Sequence, residues 1–327
     1  MEIVGKTLDD VLRGVFTILL KASAISPTKG DCQEETGVLL EITNPRARLS
    51  RTETRGKPFS ALGEFFWYMA GSNSLDFIQH YIDGYGNFSD DGETVHGGYG
   101  PRLFDQRGNN QLDNVINILE LKPDSRRAVI QLFNAEDISQ NYEDVPCTCT
   151  IQFFVRRKKL GIIVNMRSND AFIGLPHDVF CFTMLQELVA RRLGIDLGTY
   201  RHFAGSLHLY AVNKAAAQQY LDEGVQSTIL MPEMPPGDPW LSLSKVLEAE
   251  ADIRSGQEPK AAIWALDHYW TDLVLLLQIF EARGDEAKIE ALKAQMSFDK
   301  YFPYAENCKR MKKREARPHR PRQLPLL

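Results

Sequence analysis

The sequence predicts a mixed α/β (α+β) fold. Three observations carry this. Short apolar runs of strand length recur at 38–42, 128–133, 150–155 and 160–166. Stretches with helical spacing of apolar residues lie around them, at 1–24, 60–69, 112–121 and 179–193. Beyond about residue 225 only helical patterns remain, at 241–255, 259–283 and 285–297, after a stretch punctuated by Pro232, Pro235, Pro236 and Pro239. The expected organisation is a core over 1–225, a helical extension packed on it over 226–300, and a basic disordered tail over 301–327.

Each element has its own warrant. From Met1 to Ala24 the apolar residues Leu12, Val15, Phe16, Leu19 and Leu20 fall on one helical face among Glu2, Lys6, Asp9, Asp10 and Arg13. Those interspersed charges argue against a secretory signal. Val38 to Ile42 is a strand that stops at Asn44-Pro45. Ser60 to Met69 is a helix with a wide apolar face and Ser60 as its expected cap. Residues 84–102 are rich in glycine and aromatics and read as a connecting loop where backbone can approach a ligand. The runs at 150–155 and 160–166 form a hairpin through Arg156-Arg157-Lys158-Lys159, a solvated tip. Val179 to Leu193 is a long apolar helix that Asp178 would cap.

Composition narrows the class. In 327 residues, hydrophobic types make up 43% and charged types 25%, the balance of a soluble globular chain. A net charge of −5 gives no general reason to wrap a polyanion. Eight Lys or Arg between Lys309 and Arg322 read as a solvated tail, with nucleic-acid contact the less favoured reading. No apolar run approaches the ~20 residues that cross a bilayer. The five cysteines are odd in number and lack paired spacing, which favours a reducing, cytoplasmic setting. Cys147-Thr148-Cys149 is not a C-x-x-C pair, so no metal is expected.

The chemistry concentrates between Pro146 and Tyr210. A cysteine is a good nucleophile only as thiolate, and a nearby guanidinium favours that form. Arg167-Ser168 offers a donor fork and a hydroxyl, which suit a phosphate. The bland readings are a strand cysteine that packs as a small hydrophobe and a surface arginine. What decides between them is order and spacing. Ser125-Arg126-Arg127, Pro146-Cys147 ahead of Gln152-Phe153, Arg167-Ser168-x-Asp170, Gly174-x-Pro176 and Gly205-x-x-His208-x-Tyr210 follow one another, with Glu64-Phe65-Phe66-Trp67-Tyr68 upstream.

That set resembles the thymidylate synthase family over roughly residues 36–215. The resemblance implies a large mixed sheet with helices on one face, and two sheets packed back to back in a homodimer. It implies 5,10-methylenetetrahydrofolate as co-substrate. Cys147 would be the nucleophile, Glu64 would organise water and proton transfer, and Tyr99 would lie near the C5 proton. Arg167 and Ser168 would hold the 5′-phosphate, with Arg126 and Arg127 reaching it from the other subunit. One of Arg46, Arg48 or Arg51 would supply a fourth arginine, Arg46 being preferred. His208 and Tyr210 would bind the sugar 3′-hydroxyl, and Asp170 with Gly174 the folate. The family's tryptophans after the Glu64 helix have no clear counterpart in 82–96, and the C-terminus does not resemble the family's.

Four departures resemble one branch. Cys147-Thr148, Asn165-Met166-Arg167-Ser168-Asn169-Asp170, His177-Asp178 and Gly205-Ser206-Leu207-His208 replace Pro-Cys-His, Gln-Arg-Ser, Pro-Phe-Asn and Gly-Asp-x-His. They look like the phage deoxycytidylate hydroxymethylases and the cytidylate hydroxymethylases of nucleoside-antibiotic pathways. Asp178 would then read cytosine, accepting from N4. The implied reaction is transfer of a one-carbon unit to C5 of dCMP or CMP with addition of water. The rivals are a CMP-specific enzyme, a divergent synthase acting on dUMP, and a non-catalytic nucleotide- or RNA-binding regulator.

Overall fold

The computed structural model describes residues 1–27, 30–56 and 58–313. Among these, seven strands form one mixed sheet: β1 Glu2–Gly5, β2 Ala24–Ile25, β3 Cys32–Ile42, β4 Val129–Gln131, β5 Thr148–Arg156, β6 Lys159–Asp170 and β7 Asp196–Tyr210. Their order is β1-β3-β7-β6-β5-β4, with β2 paired to β3. The β1–β3 and β6–β7 pairs are parallel and the rest antiparallel.

The helices are α1 Leu8–Leu19, α2 Pro58–Met69, α3 Leu75–Tyr81, α4 Tyr99–Phe104, α5 Gln111–Leu121, α6 Gly174–Arg192, α7 Lys214–Asp222, α8 Trp240–Arg254, α9 His268–Glu281, α10 Glu286–Lys293 and α11 Phe302–Lys309. Alternation along the strands separates two faces. Ile151, Phe153, Leu160, Ile162, Val164 and Met166 are buried with α6. Gln152, Phe154, Ile163 and Asn165 on the opposite face are only half-buried, and Phe203 is exposed.

The N-terminus differs from the single helix expected. Residues 2–5 pair with β3, and the helix starts only after Thr7. Thr7 is extended and caps α1 through a capping box with Asp10, a signal that Thr7-x-x-Asp10 carried in the sequence. A Cβ on Gly5 would lie 2.7 Å from the Asp10 Cβ, so the sharp entry into α1 needs glycine there.

The C-terminal helices rest on α2 and α3. The Phe280 ring stacks on Phe59 and Tyr81 at 5.6 and 5.8 Å. The Tyr81 hydroxyl donates to Glu250 at 2.7 Å. Residues 302–309, placed in the basic tail by sequence, form α11 instead. Its Tyr304 donates to the Ser50 carbonyl at 2.9 Å, and its Cys308 is buried. The charges there are paired, Lys309 with Glu290 and Glu306. The rest of the expected tail, 314–327, lies outside the described residues. No helix among the described residues is long and apolar enough to cross a membrane.

Candidate active site

The site forms where β5 begins and β6 and β7 end. A bulge between Thr148 and Thr150 breaks the β5–β6 register directly after Cys147. Bulges of this kind re-aim side chains beside active sites. Arg167 binds the segment from the neighbouring strand. Its backbone donates to the Cys147 carbonyl at 2.9 Å, its Nε to the Pro146 carbonyl at 2.9 Å and its Nη2 to the Val145 carbonyl at 2.8 Å. The same Nη2 lies 3.7 Å from the Cys147 Sγ. Arg167 thus fixes the Cys147 turn and sets a positive charge beside the sulfur, the environment a thiolate needs. Burial raises the Cys149 thiol, only partly opposed by Arg167.

Parallel pairing of β6 with β7 sets Ser168 beside Ser206 and Asp170 beside His208. Asp170 accepts from the backbone N–H groups of Phe172 and Ile173 at 2.8 and 3.3 Å. Burial raises its carboxyl even so. Burial also lowers the His208 imidazole, against the pull of Asp170. The His208 and Tyr210 rings meet edge-to-face at 4.9 Å.

Helices α2, α4 and α6 close the other side. Glu64, 7% exposed, accepts from the Tyr68 hydroxyl at 2.6 Å and lies 3.0 Å from the His177 Nδ1. The His177 Nε2 lies 2.9 Å from the Ser60 hydroxyl. Ser60 is therefore no cap; it lies within α2 and forms, with His177, a chain ending on Glu64. The Tyr99 hydroxyl accepts from the Thr148 backbone N–H at 3.0 Å. Burial holds the Tyr99 phenol well above its usual value, reinforced by the charges of Cys147 and Asp178. Tyr85 has the same shift from burial and then from Glu64, and packs edge-to-face on Trp67 and Phe88. Tyr85 and Phe88 stand in the stretch 82–96, where no tryptophan could be matched.

Asp178 is not the helix cap that its position suggested. The helix α6 starts at Gly174, so Asp178 lies inside it, on the buried face. Its carboxyl is 8% exposed and accepts from the Asn169 Nδ2 at 2.7 Å. Burial, then the neighbouring Glu64, pushes it well above the usual carboxylate range. A raised carboxyl stabilises the fold below its unfolded-state pKa, and that stability is lost as pH rises through the folded value. Asp178→Asn removes this titration. Its stability relative to the parent should therefore increase as pH rises above the ordinary carboxylate range, a trend read by thermal unfolding across pH.

Arg46, the preferred fourth arginine, is engaged elsewhere. Its Nη1 donates to the Met231 carbonyl at 3.4 Å and lies 4.0 Å from the Glu233 carboxylate. Arg48 is sealed against Glu187. Arg126 and Arg127 are exposed beside the edge strand β4, where the Arg126 carbonyl accepts from Gln152. Sequence reasoning missed the partners rather than the principals: Asn169, His177, Tyr68, Tyr85 and Ser60. Ser60 and His177 were both named in the sequence, as an expected cap and as part of His177-Asp178, but their contact with each other and with Glu64 was not.

Residues 51–234 match the thymidylate synthase family model. The chain belongs to the thymidylate synthase family. Every site residue assigned from the sequence except the candidate arginines Arg46 and Arg48 falls inside the matched span. Among characterised members, the chain is 31% identical over 208 residues to the deoxyuridylate hydroxymethyltransferase of Bacillus phage SP01, covering 59% of this chain and 54% of that protein. It is 32% identical over 169 residues to the protein of that name from Pseudomonas phage M6, covering 50% and 48%. It is 29% identical over 169 residues to the thymidylate synthase of Francisella tularensis subsp. holarctica (strain OSU18), covering 46% and 61%. The chain thus spans about half the length of the phage relatives it matches.

Proposed function

We propose that this member of the thymidylate synthase family is a pyrimidine nucleotide hydroxymethylase. It transfers a one-carbon unit from 5,10-methylenetetrahydrofolate to C5 of dCMP, or of CMP, and adds water. The products are the 5-hydroxymethyl nucleotide and tetrahydrofolate. The observation that carries the cytosine reading is Asp178. It is a buried carboxyl with Asn169 and Glu64 beside it, and a carboxyl can accept from N4 and, when protonated, donate to N3.

In this reading Cys147 adds through sulfur to C6 of the pyrimidine. The C5=C6 bond becomes a nucleophilic centre at C5, which bonds to the one-carbon unit. The folate supplies that carbon at the oxidation level of formaldehyde. Loss of the C5 proton and cleavage of the bond from the one-carbon unit to the folate nitrogen, which releases tetrahydrofolate, leave an exocyclic methylene. Water adds its oxygen to that methylene and gives up a proton. Expulsion of the Cys147 thiolate then restores the C5=C6 bond. Glu64 orients the water and takes its proton, a role supported by the contacts of Tyr68 and His177 with its two carboxylate oxygens. Arg167 and Ser168 bind the 5′-phosphate, His208 and Tyr210 the sugar, and Asp170 and Gly174 the folate. For Asp170 the donor set suits a reduced pterin. One carboxylate oxygen is held by two backbone N–H groups, beside the Phe172 ring, on which Arg55 sits at 4.9 Å.

A second reading is deoxyuridylate as acceptor, favoured by the names of the phage relatives. One experiment separates the readings. The protein is incubated with methylenetetrahydrofolate and each of CMP, dCMP, UMP and dUMP, with products read by mass and folate by ultraviolet absorbance. A hydroxymethyl product on cytosine with no dihydrofolate is expected. A 5-methyl product with stoichiometric dihydrofolate would make the chain a synthase.

The exposed Arg126 and Arg127 and the half-covered sheet face support a homodimer with shared sites. Mixing inactive Arg126→Ala with inactive Cys147→Ala should restore one working site per heterodimer, up to about a quarter of parent activity in an equal mixture. No recovery, with subunit exchange verified, would exclude sharing.

A further inference from the structure

We propose that Asn169 is a specificity-determining residue that fixes which oxygen of Asp178 accepts and which donates towards the pyrimidine. The inference rests on the reading above that Asp178 faces the base. Asn169 does not touch substrate in this scheme; it acts through Asp178 as a positioning residue.

The geometry is tight. Asn169, near the end of β6, is 3% exposed, and its register with Leu207 on β7 fixes its backbone. Its Nδ2 donates to the Asp178 Oδ2 at 2.7 Å. A Cβ at Gly174 would lie 3.2 Å from that Nδ2 and 3.6 Å from that Oδ2, so the pair is held against the first turn of α6. The Asn169 Oδ1 is buried and has no hydrogen-bond partner among the described residues. A buried amide oxygen without a partner costs stability, and the sequence keeps it here beside a carboxyl.

A neutral carboxyl has one proton and two oxygens. Cytosine presents a donor at N4 beside an acceptor at N3, whereas uracil presents an acceptor at O4 beside a donor at N3. A carboxyl free to carry its proton on either oxygen complements both. Asn169 breaks that symmetry. Its N–H favours Oδ2 as the carbonyl oxygen, the stronger acceptor, and leaves the proton on Oδ1. That order matches cytosine, with Oδ2 towards N4 and Oδ1–H towards N3. If the amide turns over, its Oδ1 claims the single carboxyl proton through Oδ2, and none remains for O4. Either way uracil lacks a donor. An amide at 178 differs, because its two N–H groups can serve O4 and the Asn169 Oδ1 together.

The test is Asn169→Leu, a change of similar volume that removes the donor and the orphaned acceptor. The kcat/KM ratio for dCMP over dUMP with methylenetetrahydrofolate, and the ratio of their binary Kd values, should both fall about tenfold. Thermal unfolding checks that the variant folds; if it does not, Asn169→Ala is read in the same way. In the background of Asp178→Asn, Asn169→Leu should reverse part of the gain in uracil use, because the amide loses the acceptor of its second N–H. Unchanged ratios in the single variant and additive effects in the double variant would overturn the inference. If Asp178→Asn alone leaves the ratio at the parent value, it is the reading of Asp178 that fails instead.

Discussion

Cys147→Ala is expected to lower turnover by at least about 10⁴-fold while nucleotide affinity stays within a few-fold of the parent. Loss of a nucleophile that acts as one unit with its neighbours gives effects of this size. The phosphate and base contacts come from other residues, so binding survives. Arg167 shows why the effect is specific to this cysteine. It holds the carbonyls of Val145, Pro146 and Cys147 and sets its guanidinium 3.7 Å from the Cys147 sulfur. Arg167 acts on Cys149 too, but there burial outweighs it and the thiol stays raised. The check is steady-state turnover together with tritium release from C5 of the substrate. Turnover or tritium release in the alanine variant near that of the parent would remove Cys147 from the mechanism.

Asp178→Asn is expected to shift preference from cytosine to uracil nucleotides by roughly tenfold to a hundredfold. An unmatched buried polar group costs about 1–3 kcal/mol, and each 1.4 kcal/mol is a factor of ten. The amide N–H donates to O4, where the carboxyl fixed by Asn169 presents only an acceptor. The Asn169 Oδ1, orphaned in the parent, can take the amide's other N–H. The kcat/KM ratio for dCMP over dUMP measures the shift. A ratio equal to the parent's would reduce Asp178 to a structural member of α6.

Much of the site was legible in the sequence because strand chemistry is local. Pro146-Cys147 leads directly into β5, and Arg167-Ser168-x-Asp170 and Gly205-x-x-His208-x-Tyr210 lie on β6 and β7. Once β5, β6 and β7 are adjacent, Cys147 meets Arg167 and Asp170 meets His208. Glu64 was legible through the aromatic run that follows it. The errors fell where a local signal pointed two ways. Asp178 before an apolar run is a good cap, yet Gly174-Leu175-Pro176 extends the helix ahead of it. Residues 302–309 lead into a run of positive charge, yet Tyr304 and Asn307 donate to the carbonyls of Ser50 and Gly56 and hold the segment as a helix.

The sequence by itself determined the family and the sheet-and-helix class, and it singled out Cys147 and the segments around it. These follow from residue types in fixed order along single strands and helices. Only the tertiary structure decided the partnerships across elements. Asn169 of β6 on Asp178 of α6, His177 of α6 between Ser60 and Glu64 of α2, and Tyr99 of α4 on the backbone of Thr148 join residues far apart in the chain. The physical reason is that hydrogen-bond polarity and burial belong to the packed arrangement. A carboxyl's charge depends on which groups exclude water from it and which donors reach it, and no spacing along the chain encodes either.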